Sequence, residues 1–207
     1  MPRPPEPART VDRPRSRGSA GNILPASVRA VRTRREIALA RTLIREYARS
    51  IGVDLEFQGF REEIRSLPGE YRPPWGGLWI AWERGRPIGC AALRRWAPRK
   101  GEMKRLYVRP GGRRHGTGRR LAEKVVEAAR RRGFSWIYLD TLGTMSAALR
   151  LYESMGFRAT RPYRPNPIPG CRFLRLRLLA GGPGQSSTER PTRPVAQSGQ
   201  RPRNRSP

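Results

Sequence analysis

The chain has 207 residues, with 44 Lys or Arg against 16 Asp or Glu, giving a formal net charge of +28 at pH 7. That length allows one domain of ordinary size plus tails, and no apolar run approaches the length of a membrane span. The charge would attract polyanions through counterion release. Yet only three of the 44 basic residues are lysines, a skew that GC-rich coding produces generally, and no helix-turn-helix, zinc-finger or RNA-recognition signature accompanies it.

Residues 1–27 and 181–207 are rich in Pro, Arg, Ser and Gly and lack aliphatic periodicity. They are expected to be disordered basic tails, open to non-specific polyanion contact, around a domain spanning 28–180. The first segment lacks an apolar leader, so Cys90 and Cys171 are expected as reduced thiols in a cytoplasmic protein. Val28 to Arg32 alternates like a strand. Thr33-Arg34-Arg35-Glu36 has the spacing of a capping box for a helix with Ile37, Ala40, Ile44 and Tyr47 inward, stopping by Gly52. Phe57 to Leu67 is predicted as a second helix, and residues 68–77 as loop.

Strands follow over Leu78–Trp82 and Ile88–Leu93, then in the segment carrying Glu102, Met103, Leu106 and Val108. Pro110, Gly111 and Gly112 break that last strand, and a helix begins at Thr117 with Leu121, Val125, Ala128 and Ala129 on one face. Trp136 to Leu139 is a buried strand. Thr144 is placed to cap a helix through Tyr152 that ends at Gly156, Arg161 to Gly170 is a proline-laden loop, and Arg172 to Leu178 alternates as a final strand. Hairpins and crossovers together predict an α/β domain: a mixed, mostly antiparallel sheet flanked by helices.

Between strand and helix lies Arg113-Arg114-His115-Gly116-Thr117-Gly118. Two glycines, the free N–H groups of a helix start and flanking arginines favour an anion there. A Walker loop fails because Thr117 stands where lysine is required. The dinucleotide fingerprint fails because Leu121 occupies its third glycine position. His115 is the only histidine, which excludes a Ser-His-Asp triad or a histidine metal cluster, and no metal is expected.

The pattern Arg-x-x-Gly-x-Gly resembles the acetyl-CoA signature of the GNAT (Gcn5-related) N-acetyltransferase superfamily. Downstream, Ala148-Leu149-Arg150-Leu151-Tyr152-Glu153-Ser154-Met155-Gly156-Phe157 resembles its second signature. The resemblance covers residues 28–180 and implies acetyl transfer from acetyl-CoA to an amine: a small molecule, a protein N-terminus or a lysine. It implies cofactor contacts at Arg113, Arg114, His115, Gly116, Thr117, Gly118 and Arg119, and through the strand end at Leu106, Tyr107 and Val108. It further implies Tyr152 as the acid that protonates the thiolate, and Glu102, or else water, as the base. An asparagine common seven residues before the tyrosine is Met145 here. Read without the family, Glu102 is a solvated turn residue beside Lys100 or Lys104, and Tyr152 a core aromatic. Cys90 and Cys171 read as small apolar residues, while Trp75 lines either a packed loop or an acceptor pocket. The acceptor is expected between the 53–77 segment and the Tyr163–Gly170 loop. A non-catalytic module that binds CoA or nucleic acid is the alternative, and homodimerisation is left open.

Overall fold

Alternating apolar residues in the middle of the chain build a sheet of seven strands, described by a computed structural model over residues 26–178. The strands are β1 (Ser27–Ala30), β2 (Gly77–Glu83), β3 (Arg86–Ala97), β4 (Lys100–Val108), β5 (Trp136–Leu142), β6 (Arg158–Ala159) and β7 (Cys171–Arg177). Their order is β1-β2-β3-β4-β5-β7-β6, antiparallel throughout except where β4 runs parallel to β5. The helices are α1 (Arg34–Ile51), α2 (Phe60–Ser66), α3 (Thr117–Arg131) and α4 (Ser146–Ser154). The expected α/β architecture is thus observed. No helix among the described residues is long and apolar enough to cross a membrane.

Each face of the sheet carries its own core. Leu121, Val125 and Ala129 of α3 pack on Leu93, Met103 and Ile137, joined by Tyr152 and Phe157 from the α4 end. On the opposite face Leu43 and Ile44 of α1 and Ile64 of α2 cover Ile80, Cys90 and Ala92. The period-2 strands and period-3.6 helices of the sequence are the cause of this division. The capping box forms as expected, with the Glu36 amide donating to Thr33 Oγ1 at 3.2 Å and Glu36 Oε2 accepting from the Thr33 amide at 3.0 Å.

Four details differ from expectation. The single helix expected over Phe57–Leu67 is a 3-10 turn and then α2, because Gly59 at φ 70° breaks it. Thr144 does not cap α4; Met145 holds that position, without a side-chain cap. β6 went unseen because two residues carry no alternation. The boundary expected after residue 27 moves earlier, since Ala26 is buried and Ser27 opens β1. The rest of the two expected tails lies outside the described residues, as do residues 179–180.

Candidate active site

The site begins with a flaw in the sheet. β4 and β5 pair only from Lys100 to Glu102 against Trp136 to Tyr138. Beyond that, Arg105 and Leu106 together oppose Ala91 on β3, a bulge with Arg105 at φ 57°. A bulge bends its strand and ends local pairing, so β4 turns away while β7 holds β5 along its full length. The bulged residue is fixed from outside: Arg105 donates to both oxygens of Glu63, at 2.8 and 2.5 Å, and packs over Phe60. Burial alone would raise the Glu63 carboxyl, but these bonds outweigh it and leave its pKa lowered.

The gap is a small cleft, about 50 Å³ in volume, that opens to solvent. Met103, Lys104 and Leu106 form its β4 wall, Asp140 and Leu142 its β5 wall, and Met145 and Tyr152 face it from α4. Val53, Leu55 and Gln58 close it from the α1–α2 connection, and Asn166, Ile168 and Cys171 from the segment leading into β7. Burial raises the Tyr152 phenol well above its usual range, so its proton is retained at neutral pH. The alternation of the β3–β4 ladder also matters. The Arg109 amide donates to Ile88 O at 2.8 Å, which sends the neighbouring Val108 N–H the other way, toward the gap.

At the end of β4, Pro110–His115 form a 3-10 turn and Gly116, at φ 69°, starts α3. The backbone ladder of α3 begins with Arg120 donating to Gly116 O at 3.1 Å, so the amides of Thr117, Gly118 and Arg119 have no intrahelical acceptor. A Cβ built on Gly116 would meet nothing within 4 Å, so the helix start is open to a ligand. Thr117 Oγ1 is buried without a hydrogen-bond partner. An orphaned hydroxyl, free amides and the positive end of a helix dipole fit a phosphate group. A Cβ on Gly118 would lie 3.6 Å from Leu151 Cδ2, so this cradle adjoins α4 one residue from Tyr152.

Several expected residues are engaged differently. Arg113 Nε donates to Val108 O at 2.9 Å, and Arg119 donates to Ser154 Oγ at 2.6 Å, tying the loop to β4 and α4. His115 is exposed, and Tyr107 turns to the α1 face beside Tyr47. The Arg114 side chain lies outside the described residues. Glu102 is not a solvated turn residue: it is fully buried and paired with neither Lys100 nor Lys104. Its Oε2 accepts from Arg94 at 2.6 Å and its Oε1 from Tyr163 at 2.9 Å. Arg164 Nε approaches Oε1 at 3.2 Å without hydrogen-bond alignment. Glu102 does not line the cleft. Trp75 packs on Phe134 under Arg95, away from it. Cys171 is not a bare apolar residue, since Asn166 Nδ2 donates to its sulfur at 3.1 Å and Asp140 lies close by. The sequence reading missed Lys104, Gln58 and Asp140 as cleft residues, because only the folded α1–α2 connection and β5 bring them together.

The cleft between the splayed strands lies near the glycine-opened helix start where the first sequence signature falls, with Tyr152 of the second facing it. The sequence profile of the Acetyltransferase (GNAT) family matches residues 39–157. An uncharacterised N-acetyltransferase of Schizosaccharomyces pombe is 38% identical over 154 residues, covering 73% of this chain and 94% of that protein. An acetyltransferase of Streptococcus agalactiae shares the fold at a TM-score of 0.63 and 21% identity, over 75% of this chain and 99% of that one. YncA of Salmonella typhimurium, solved with acetyl-CoA, does so at 0.54 and 20%, over 79% and 99%. With its profile spanning more than half of the sequence and a relative matched over nearly its whole length, the chain belongs to the GNAT acetyltransferase family.

Proposed function

We propose that the protein transfers an acetyl group from acetyl-CoA to an amine acceptor bound in the cleft between β4 and β5. The observation that carries this reading is that the start of α3, with its orphaned Thr117 hydroxyl, packs against Leu151 of α4, the neighbour of the Tyr152 that faces the cleft. Acetyl-CoA supplies an activated thioester. The amides of Thr117, Gly118 and Arg119 and the Thr117 hydroxyl would hold its pyrophosphate, while the Val108 N–H faces the gap where a thioester oxygen needs a donor. Tyr152 faces the cleft, where its hydroxyl can supply the proton that a departing thiolate takes up. Both Glu102 oxygens are already engaged by Arg94, Arg164 and Tyr163. Loss of the acceptor's proton is therefore assigned to water, and Glu102 to holding the 161–170 segment against the sheet.

The test is CoA release by the full chain with acetyl-CoA and a panel of amines, in wild type and Tyr152→Phe. Release that depends on an amine, with kcat reduced by about a hundredfold in the variant and acetyl-CoA affinity retained, is expected. Binding of acetyl-CoA without release for any amine would instead make this a CoA-binding module.

A further inference from the structure

One charged group in the cleft has no role in the chemistry above. Lys104 is only 6% exposed, and its Nζ donates to one partner, Gln58 Oε1 at 3.0 Å, although an ammonium has three donors. Two other charged residues line the same cleft, and both are paired: Arg105 with Glu63 at 2.5 Å, and Asp140 with Arg164 at 2.7 Å. Lys104 has no carboxylate within 4.0 Å among the described residues. Glu102, two positions earlier on β4, is occupied by Arg94 and Arg164. A buried cation needs a counter-charge, and the open side of Lys104 is the cleft itself. Burial, reinforced by neighbouring Arg105, brings its ammonium down to about 8, so it remains mostly charged at neutral pH.

We propose that Lys104 binds a carboxylate of the acceptor, so that the acetylated amine is an amino acid or another amine bearing a carboxylate. The inference rests on the acetyl-transfer reading and narrows its acceptor class. Gln58 orients the lysine head, and the apolar Val53, Leu55 and Ile168 surround the remainder of the acceptor.

The experiment uses matched acceptors with the full chain: the standard amino acids, each of several paired with its decarboxylated amine, such as phenylalanine with phenethylamine, tryptophan with tryptamine and histidine with histamine. For the pair used best, kcat/KM should favour the carboxylate-bearing member by about tenfold or more, as a charge-assisted bond implies. Lys104→Met and Lys104→Gln should erase that preference by raising KM, without weakening acetyl-CoA binding, and Lys104→Arg should retain part of it. Equal or better use of the decarboxylated amine, or a preference that survives both neutral variants, would overturn the inference. So would a protein that binds acetyl-CoA yet uses no carboxylate-bearing acceptor. Failure of the wild type to bind acetyl-CoA would remove the acetyl-transfer reading first, and this inference with it.

Discussion

Glu102 and Lys104 stand two positions apart on β4 and show how neighbours in sequence can meet opposite environments. Glu102 is buried with its counter-ions; Lys104 is buried without one. The consequence for stability has a definite sign. The folded pKa of Lys104, about 8, lies below its unfolded value of 10.5. The unfolded chain therefore binds more protons between those values, and stability rises as pH increases through that window. Below about pH 8 the folded protein carries the full burial cost of the ammonium. Lys104→Met should consequently raise Tm at pH 7, corresponding to roughly 1–3 kcal/mol, even as it impairs acceptor binding; thermal melts at pH 7 and pH 10 would show the gain shrinking. In the wild type, preference for a carboxylate-bearing acceptor over its decarboxylated partner should fade above pH 8. The charges surrounding that titration are Arg105, Arg94, Glu102 and Glu63, with Asp140 across the cleft. Rates within a pair are compared per concentration of free base, because the neighbouring carboxylate changes the acceptor amine's own ionisation. Tyr152 was readable from its motif, whereas Lys104 was not. A lysine on a strand looks solvated until Gln58, Val53 and Leu55 from a distant connection are folded over it.

Among the elements, β4 was legible as a strand but its bulge was not, since Lys104-Arg105-Leu106 contains neither glycine nor proline to mark a break. The start of α3 was fully legible, because glycines at the end of a strand and apolar periodicity after it are local signals. The proline-rich segment before β7 was readable as a loop beside the acceptor, but not as the brace its side chains make for the site. Tyr163 donates to Glu102, Arg164 pairs with Asp140, and Asn166 donates to Asp140 at 2.8 Å. Removing one member of such a buried set leaves the others uncompensated. Arg164→Met should therefore cost about 2–4 kcal/mol in denaturant unfolding and increase proteolysis within residues 161–170. Unchanged stability would mean that this segment is held by its aromatic contacts alone, Tyr163 against Trp96, Tyr138 and Phe173.

At the scale of the molecule, residues 28–180 hold 34 basic against 13 acidic side chains, and several of the acids are consumed inside the fold, Glu102 and Glu63 among them. The remaining surface is strongly cationic and suits an anionic co-substrate and an acceptor with a carboxylate. Higher ionic strength should raise KM for acetyl-CoA, with a smaller effect on kcat, because screening weakens attraction between exposed charges more than contacts inside the cleft. A cationic surface by itself would attract any polyanion, nucleic acid as well as a phosphorylated co-substrate. Only the ordered pair of signatures, and then the splayed strands beside an open helix start, separate the two.

Calorimetric titration of acetyl-CoA into the wild type and into Gly118→Asp tests the cradle most directly. The glycine has room for a Cβ, and the added carboxylate would face the bound phosphates at the helix start. Saturable binding by the wild type, weakened by about tenfold or more in a variant that melts normally, is the expected result. Equal affinity in the two proteins, or no binding by the wild type, would contradict the placement of acetyl-CoA at the start of α3.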